Sequence, residues 1–373
     1  MAPTEAATDP DEVVLCGPSA VCAAGATLAE IASATNGCLR PLLTDARLAR
    51  RGDGSAVSAG RVAAVDDIPA PVERMIQLAR LAVVPGVQAW QAALQAARLA
   101  GHEAAQVDAI ADSYSLLPVL LAVPSERPGL DAAALDWIAA NGLEEIEGID
   151  PARSGAWRSR HDGFAAVLEV AVARVLAGHA DAIGVGAVDS VLDPICTAWL
   201  EADGRLRSKH QPNGLVPGEG AAFCIVTRAS RAAALGLRYI TVSAIARTQE
   251  ANPWYAERPT LGDGLTTALR HALDAGPVDV CYADLNGESW RSVEWDYAYL
   301  RNGRHFAHPL DLRHPAQSWG DTGAASGALL TMLAAWDLWQ GRALQSAALI
   351  VTSADTEPTR AAFRLVLHRS QHA

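Results

Sequence analysis

Two helix-length stretches of this chain are apolar on almost every face, and they constrain its architecture more than any other feature. The first, Gly163 to Ala177, carries only Glu169 and Arg174 as charges, and the second, Ala324 to Trp339, carries only Asp337. A soluble helix that is apolar all round must be buried on all sides. Each stretch runs into a glycine turn and then an apolar, strand-like run. Leu176-Ala177-Gly178 leads to the run 181–188, and Trp339-Gln340-Gly341 leads to the run 347–351. A buried helix followed by a strand therefore occurs twice, which is an internal repeat.

Other short apolar runs bounded by Gly, Pro or Asp read as buried strands: 13–16, 182–188, 222–226, 239–245, 278–282, 347–351 and 363–367. Helical patterns separate many of them, so an α/β protein with largely parallel sheets is expected. Two halves that each place one apolar helix between two sheets give five layers, α-β-α-β-α. At 373 residues the chain exceeds what one core usually supports, in keeping with two packed halves. The junction is expected near 229–237, dividing the chain into 1–235 and 236–373. No low-complexity linker separates these halves, so one shared interface is expected.

Composition excludes several classes of function. A formal net charge of −12 disfavours nucleic acid and anionic membrane surfaces as partners. Lys209 is the one lysine, which nearly removes Schiff-base chemistry and phosphate-loop binding. No apolar run is long and charge-free enough to span a bilayer. The polar, acidic start lacks the pattern of a secretory signal. Cys16, Cys22, Cys38, Cys196, Cys224 and Cys281 are scattered without metal-ligand spacing. Neither a disulfide framework nor a zinc site is indicated, no metal or cofactor is expected, and the expected location is the cytoplasm.

Several segments, taken in order, resemble the β-ketoacyl synthases of the thiolase superfamily. The run Gly214-Leu215-Val216-Pro217-Gly218-Glu219-Gly220-Ala221-Ala222 is similar to the glycine-rich turn and strand closing their N-terminal half. Gly186-Ala187-Val188-Asp189-Ser190 and Asp203-Gly204-Arg205-Leu206 precede it in the same order and spacing. Gly320-Asp321-Thr322-Gly323-Ala324-Ala325-Ser326-Gly327 resembles the family's Gly-His-Thr-Glu-Gly-Ala-Ala-Gly helix start, and the opening Val13-Val14-Leu15-Cys16-Gly17 also fits. The resemblance covers most of the chain. It implies the thiolase-like fold, a dimer through the N-terminal halves, and decarboxylative condensation of acyl thioesters on an acyl carrier protein. In that chemistry a helix N-terminus favours a cysteine thiolate, two histidines bind the extender, and backbone N–H groups hold the oxyanion.

All three side chains at the matching positions differ here. Counting back from Gly178, the nucleophile position falls on His161, while the two histidine positions fall on Asn286 and Asp321. The expected glycine-rich loop is replaced by the run 352–360, in which Asp355 and Glu357 would repel an oxyanion they faced. His161, Asn286 and Asp321 have the parts for general acid–base work. They also suit a closed relic site in which Asp162 and Asp321 cap helices, a reading that needs no coincidence. Glu288 is a further candidate acid or base, against the plainer reading of 288–295 as a half-buried helix with solvated charges. Arg153, Arg158 and Arg160 could meet an acidic carrier protein or form an ordinary solvated charge run.

Two functions follow from the resemblance. One is a non-condensing acyl-binding or partner subunit in fatty acid or polyketide-type metabolism, forming a homodimer or a heterodimer with an intact synthase. The other is an acyltransferase, decarboxylase or thioesterase-like enzyme using His161, Asn286 and Asp321.

Overall fold

The computed structural model describes residues 9–48, 55–100, 116–342 and 346–368. The N-terminal half supplies β1 (Val13–Cys22), β4 (Val119–Pro124), β5 (Gly155–Ser159), β6 (Ala182–Ser190) and β7 (Glu219–Arg228). The C-terminal half supplies β8 (Tyr239–Gln249), β9 (Val278–Ala283), β10 (Phe306–Arg313), β11 (Ala347–Ser353) and β12 (Thr359–Val366). Two short strands, β2 (Leu43–Asp45) and β3 (Val57–Ala59), pair apart from the rest. The strand order is β5-β4-β6-β7-β1 in the first half and β10-β9-β11-β12-β8 in the second, the same arrangement twice. A short β1–β8 pairing, Val14 to Cys16 against Tyr239 to Thr241, joins the halves into one ten-stranded sheet.

All seven expected strands are present, and the largely parallel direction holds with one exception in each half. Within each half four of the five strands point the same way, and one, β7 or β12, runs antiparallel to both of its neighbours. An apolar run shows that a strand is buried without showing its direction, so sequence periodicity does not separate the two cases.

The repeat extends to a defect. In β1 one extra residue shifts the register between Cys16 and Ser19, at Gly17, whose φ is +57°. In β8 an extra residue shifts the register between Ser243 and Ala246, at Ala244, whose φ is +51°. Both are β-bulges built on a left-handed residue, a position that suits glycine and strains alanine.

Alternation across the sheets creates the layers. In β7, Ala222, Cys224 and Val226 join the core formed with the central helices, whereas Ala221, Phe223 and Ile225 pack with the outer helix Pro71–Leu99. In β11, Ala348 and Ile350 face the centre, and Ala347, Leu349 and Val351 pack with the outer helix Asp263–Leu273. The outer helices, the two sheet halves and the central helix pair make the five layers of a thiolase-like fold.

The two central helices differ in burial. Ser326–Trp339 is buried along nearly its whole length, and its Asp337 is neutralised by Arg313 and Arg342. Each fully buried leucine there contributes about 1.5–3 kcal/mol. Gly163–Leu176 is buried through Leu168, but Glu169, Ala173, Arg174 and Leu176 are exposed. Burial on all sides therefore holds for the second helix and for the first half of the first one. No helix among the described residues is long and apolar enough to cross a membrane.

Candidate functional site

The site forms where turns from both halves meet. His161 lies in the Arg160-His161-Asp162 turn between β5 and the central helix Gly163–Leu176, and Gly163 N–H closes that turn on the Arg160 carbonyl at 2.9 Å. Asn286 and Glu288 lie between β9 and the helix Ser289–Asn302, where Glu288 N–H donates to Asn286 Oδ1 at 3.0 Å. Asp321 precedes the second central helix and accepts from Gly323 N–H at 2.8 Å, capping the turn that starts it. Asp355 follows β11.

The glycine-rich turn positions Asp321. Asp321 N–H donates to the Val216 carbonyl at 2.6 Å, and Gly218 N–H returns a bond to the Asp321 carbonyl at 2.8 Å. This backbone contact requires glycine, because a Cβ on Gly218 would sit 2.4 Å from the Trp319 carbonyl oxygen.

The expected trio is brought together. His161 Nε2 lies 3.0 and 3.1 Å from the two carboxylate oxygens of Asp321. Asn286 Nδ2 donates to Asp321 Oδ2 and, at 3.0 Å, to Glu288 Oε2. Glu288 is held by Arg205, whose Nε and Nη2 reach its two oxygens at 2.6 and 3.2 Å. Arg205 Nη1 also donates to Asp355 Oδ2 at 3.0 Å. Asp355 Oδ1 stands 3.8 Å from His161 Nδ1 on the side opposite Asp321. The Arg205 guanidinium is flanked by Trp199 and Trp254, at 5.6 and 5.3 Å from the ring centroids. Arg291 completes the cluster, donating to Asp284 at 2.7 Å and to the Ser353 carbonyl at 2.6 Å.

Burial and charge compete at each titratable group. For His161 burial favours the neutral ring, but the adjacent Asp321, aided by Asp355, outweighs it and raises the pKa. For Asp321 burial works against ionisation, yet His161, Arg291 and the Asn286 bond hold it far below the usual carboxylate range. Asp355 is likewise kept low despite burial, by His161 and Arg205. Burial raises Asp284 even with Arg291 beside it. The site thus places the His161 ring between two carboxylates, with Arg205 and Arg291 spanning the acids around them.

Little space remains. The cavity bordered by His161, Asp321, Asp355 and Arg205 has a volume of about 30 Å³. Cys196 also borders it, with its thiol pushed up to about 11 by burial.

Two expectations about individual charges change, and a third holds in part. The charges of 288–295 are not solvated, since Glu288, Arg291 and Glu294 are all buried in ion pairs. Asp162 occupies the helix-start position without capping it, and its carboxylate instead takes bonds from Ser159 and Arg247 at 3.2 and 3.0 Å. Among the three arginines, Arg153 and Arg158 are exposed, whereas Arg160 is half-buried and borders the cavity. Sequence reasoning did not identify Arg205, Arg291 or Asp284 as members of the site. For Arg291 a signal existed, because its i, i+3 spacing from Glu288 places both on one helical face.

No family model matches the chain, and no curated protein matches it in sequence. Solved structures do. One is a type II polyketide synthase acyl carrier protein in complex with its ketosynthase bound to the hexaketide, with TM-score 0.68 and 14% identity, covering 96% of this chain and 100% of that one. The ishigamide ketosynthase/chain length factor gives TM-score 0.63 and 18% identity, covering 95% and 99%. The ketosynthase from module 6 of the bacillaene synthase of Bacillus subtilis 168 gives 0.69 and 12%, covering 95% and 72%. The chain therefore has the ketosynthase fold of the thiolase-like class.

Proposed function

We propose that this chain is a ketosynthase-like protein that does not condense, serving as an acyl-binding or partner subunit alongside an acyl carrier protein and an intact synthase. The observation that carries this reading is the closed site. The positions that match nucleophile and extender-binding groups hold His161, Asn286 and Asp321, bonded to one another and to Glu288, around a cavity of about 30 Å³. A space of that size has no room for an acyl chain, which favours the partner role over acyl binding at this site. Asp355 places a carboxylate beside His161 where the family's glycine-rich loop would present N–H donors.

The catalytic alternative draws on the His161–Asp321 pair, which has the composition of an acid–base dyad. The test is to mix the protein with malonyl and acyl forms of a carrier protein, and to follow both complex formation and chemistry. Complex formation without release of carbon dioxide, free acid or transferred acyl group supports the partner reading. Turnover that disappears in His161→Gln would replace it with the catalytic one.

We further propose the division into 1–235 and 236–373, on the support of the helix Ala229–Ala234 preceding β8. Dimerisation through β5 is supported by contrast with β10 at the other edge of the sheet. The β10 edge contains Pro309, an irregular register and charged Asp311 and Arg313, which are features that discourage pairing. The β5 edge lacks proline, exposes Trp157, and adjoins the open face of the first central helix. The cytoplasmic assignment is supported by six cysteines that are all free thiols.

A further inference from the structure

The cavity beside His161 is small and polar, and two side chains that border it carry buried nitrogen atoms without a hydrogen bond, His161 Nδ1 and Arg160 Nε. Nδ1 is 3.8 Å from Asp355 Oδ1, too far for a direct bond. A buried donor left without a partner is penalised, so His161 Nδ1 calls for one.

Size and charge together identify that partner. A cavity of about 30 Å³ compares with about 10–15 Å³ for one water, which leaves room for two waters and no organic group. A halide ion is the competitor. The arginines in and around the cavity are Arg127, Arg160, Arg205 and Arg291; the acids are Asp189, Asp284, Glu288, Asp321 and Asp355. With His161 neutral or protonated the cations do not outnumber these acids, so an anion would enter uncompensated. A neutral molecule would not.

We infer that this cavity binds water, at most two molecules, one of which accepts from His161 Nδ1–H and donates to Asp355 Oδ1. The inference rests on the closed-site reading above and adds a consequence to it. With Nε2–H directed at Asp321 and Nδ1–H directed at water, the ring has no lone pair with which to take a proton. The water is held but not activated, and hydrolysis of a thioester is excluded as a use of the site. The upward displacement of the His161 pKa accords with a ring protonated on both nitrogens.

The experiment combines crystals of the full chain, at a resolution that shows ordered solvent, with a bromide soak and nitrogen NMR of the histidine ring. The expected result is a water within hydrogen-bonding distance of His161 Nδ1 and Asp355, no bromide peak in the wild type, and an imidazolium signal at neutral pH. Asp355→Asn removes one negative charge and should admit bromide. A dry cavity, bromide in the wild type, a neutral ring, or a bromide-free Asp355→Asn crystal would each overturn the inference. If Asp355→Asn does not fold, the wild-type measurements decide. Carrier-protein binding enters none of these readouts, so the water can fail while the partner reading stands, and the reverse.

Discussion

Replacing Arg205 by methionine keeps a long side chain and removes the charge that Glu288 and Asp355 share. Both acids are buried, and both are bonded to the same guanidinium, Glu288 at 2.6 and 3.2 Å and Asp355 at 3.0 Å. Breaking a buried ion pair by removing one partner costs about 3–5 kcal/mol, because the other charge stays buried without compensation. Loss of the contacts to Trp199 and Trp254 adds about 0.5–2 kcal/mol each. A total of about 4–9 kcal/mol is expected, a large share of the roughly 5–15 kcal/mol that separates folded from unfolded protein. Urea unfolding followed by tryptophan fluorescence measures it, and Trp254 reports on the site itself. The triple variant Arg205→Met/Glu288→Gln/Asp355→Asn removes the stranded charges and should recover at least half of the loss. A single variant that loses less than about 1 kcal/mol, as an exposed pair would, refutes the reasoning.

Stability should have an alkaline limb set by His161. Its folded pKa is raised, so its contribution is full below the ordinary histidine value of about 6.5 and is lost as pH rises through the folded value. Asp321 is displaced downward, so its contribution is present above the ordinary carboxylate value and is lost as pH falls. Thermal unfolding across pH should show a plateau between these limits, and His161→Gln should flatten the alkaline side. His161→Cys should yield no β-ketoacyl product from acyl donor and malonyl carrier protein, since Asp321 and Asp355 remain to oppose the developing negative charge; turnover near that of an intact synthase would contradict this. Gly17→Ala should destabilise by about 1–2 kcal/mol through backbone strain alone, because its added Cβ meets nothing closer than 3.6 Å, while Ala244→Gly should gain slightly. Equal stability of Gly17→Ala and wild type in urea would argue against the paired bulges. Wild type should sediment as a dimer and Trp157→Asp as a monomer; a variant that stays dimeric would move the interface away from β5.

The fold was more legible than the site, and particular elements show why. Buried runs such as 182–188 and 347–351 identify themselves, since a fully buried strand needs apolar residues on both faces. β5 escaped notice because Gly-Ala-Trp-Arg-Ser belongs to an edge and is only partly covered. β10 escaped because of its proline and charges. His161, Asn286 and Asp321 could be placed by counting along glycine landmarks. Arg205 could not, because the fact that matters about it is a bond to Glu288, 83 positions later, and nothing local marks an arginine as destined for burial. Treating the charges of 288–295 as solvated followed the ordinary behaviour of charged residues, which are buried only when paired. The pairs exist here, and two of the partners, Arg205 for Glu288 and Arg360 for Glu294, come from distant parts of the chain.

The separations in the charge cluster also bear on how the chain reaches its folded state. His161 meets Asp321 across 160 positions, and Arg205 meets Asp355 across 150. Neither side of such a contact gains by leaving water before the other arrives, since an unpaired buried charge is penalised heavily. The cluster can close only after both halves have formed their sheets and docked. Among the elements described it should therefore be the last to acquire protection in a refolding experiment, later than the β6–β7 and β11–β12 pairs made from neighbouring segments. A chain synthesised from its N-terminus would hold His161 and Arg205 hydrated until Asp321 and Asp355 have emerged. Chaperones and proteases would meet the half-made protein with these charges still turned toward water.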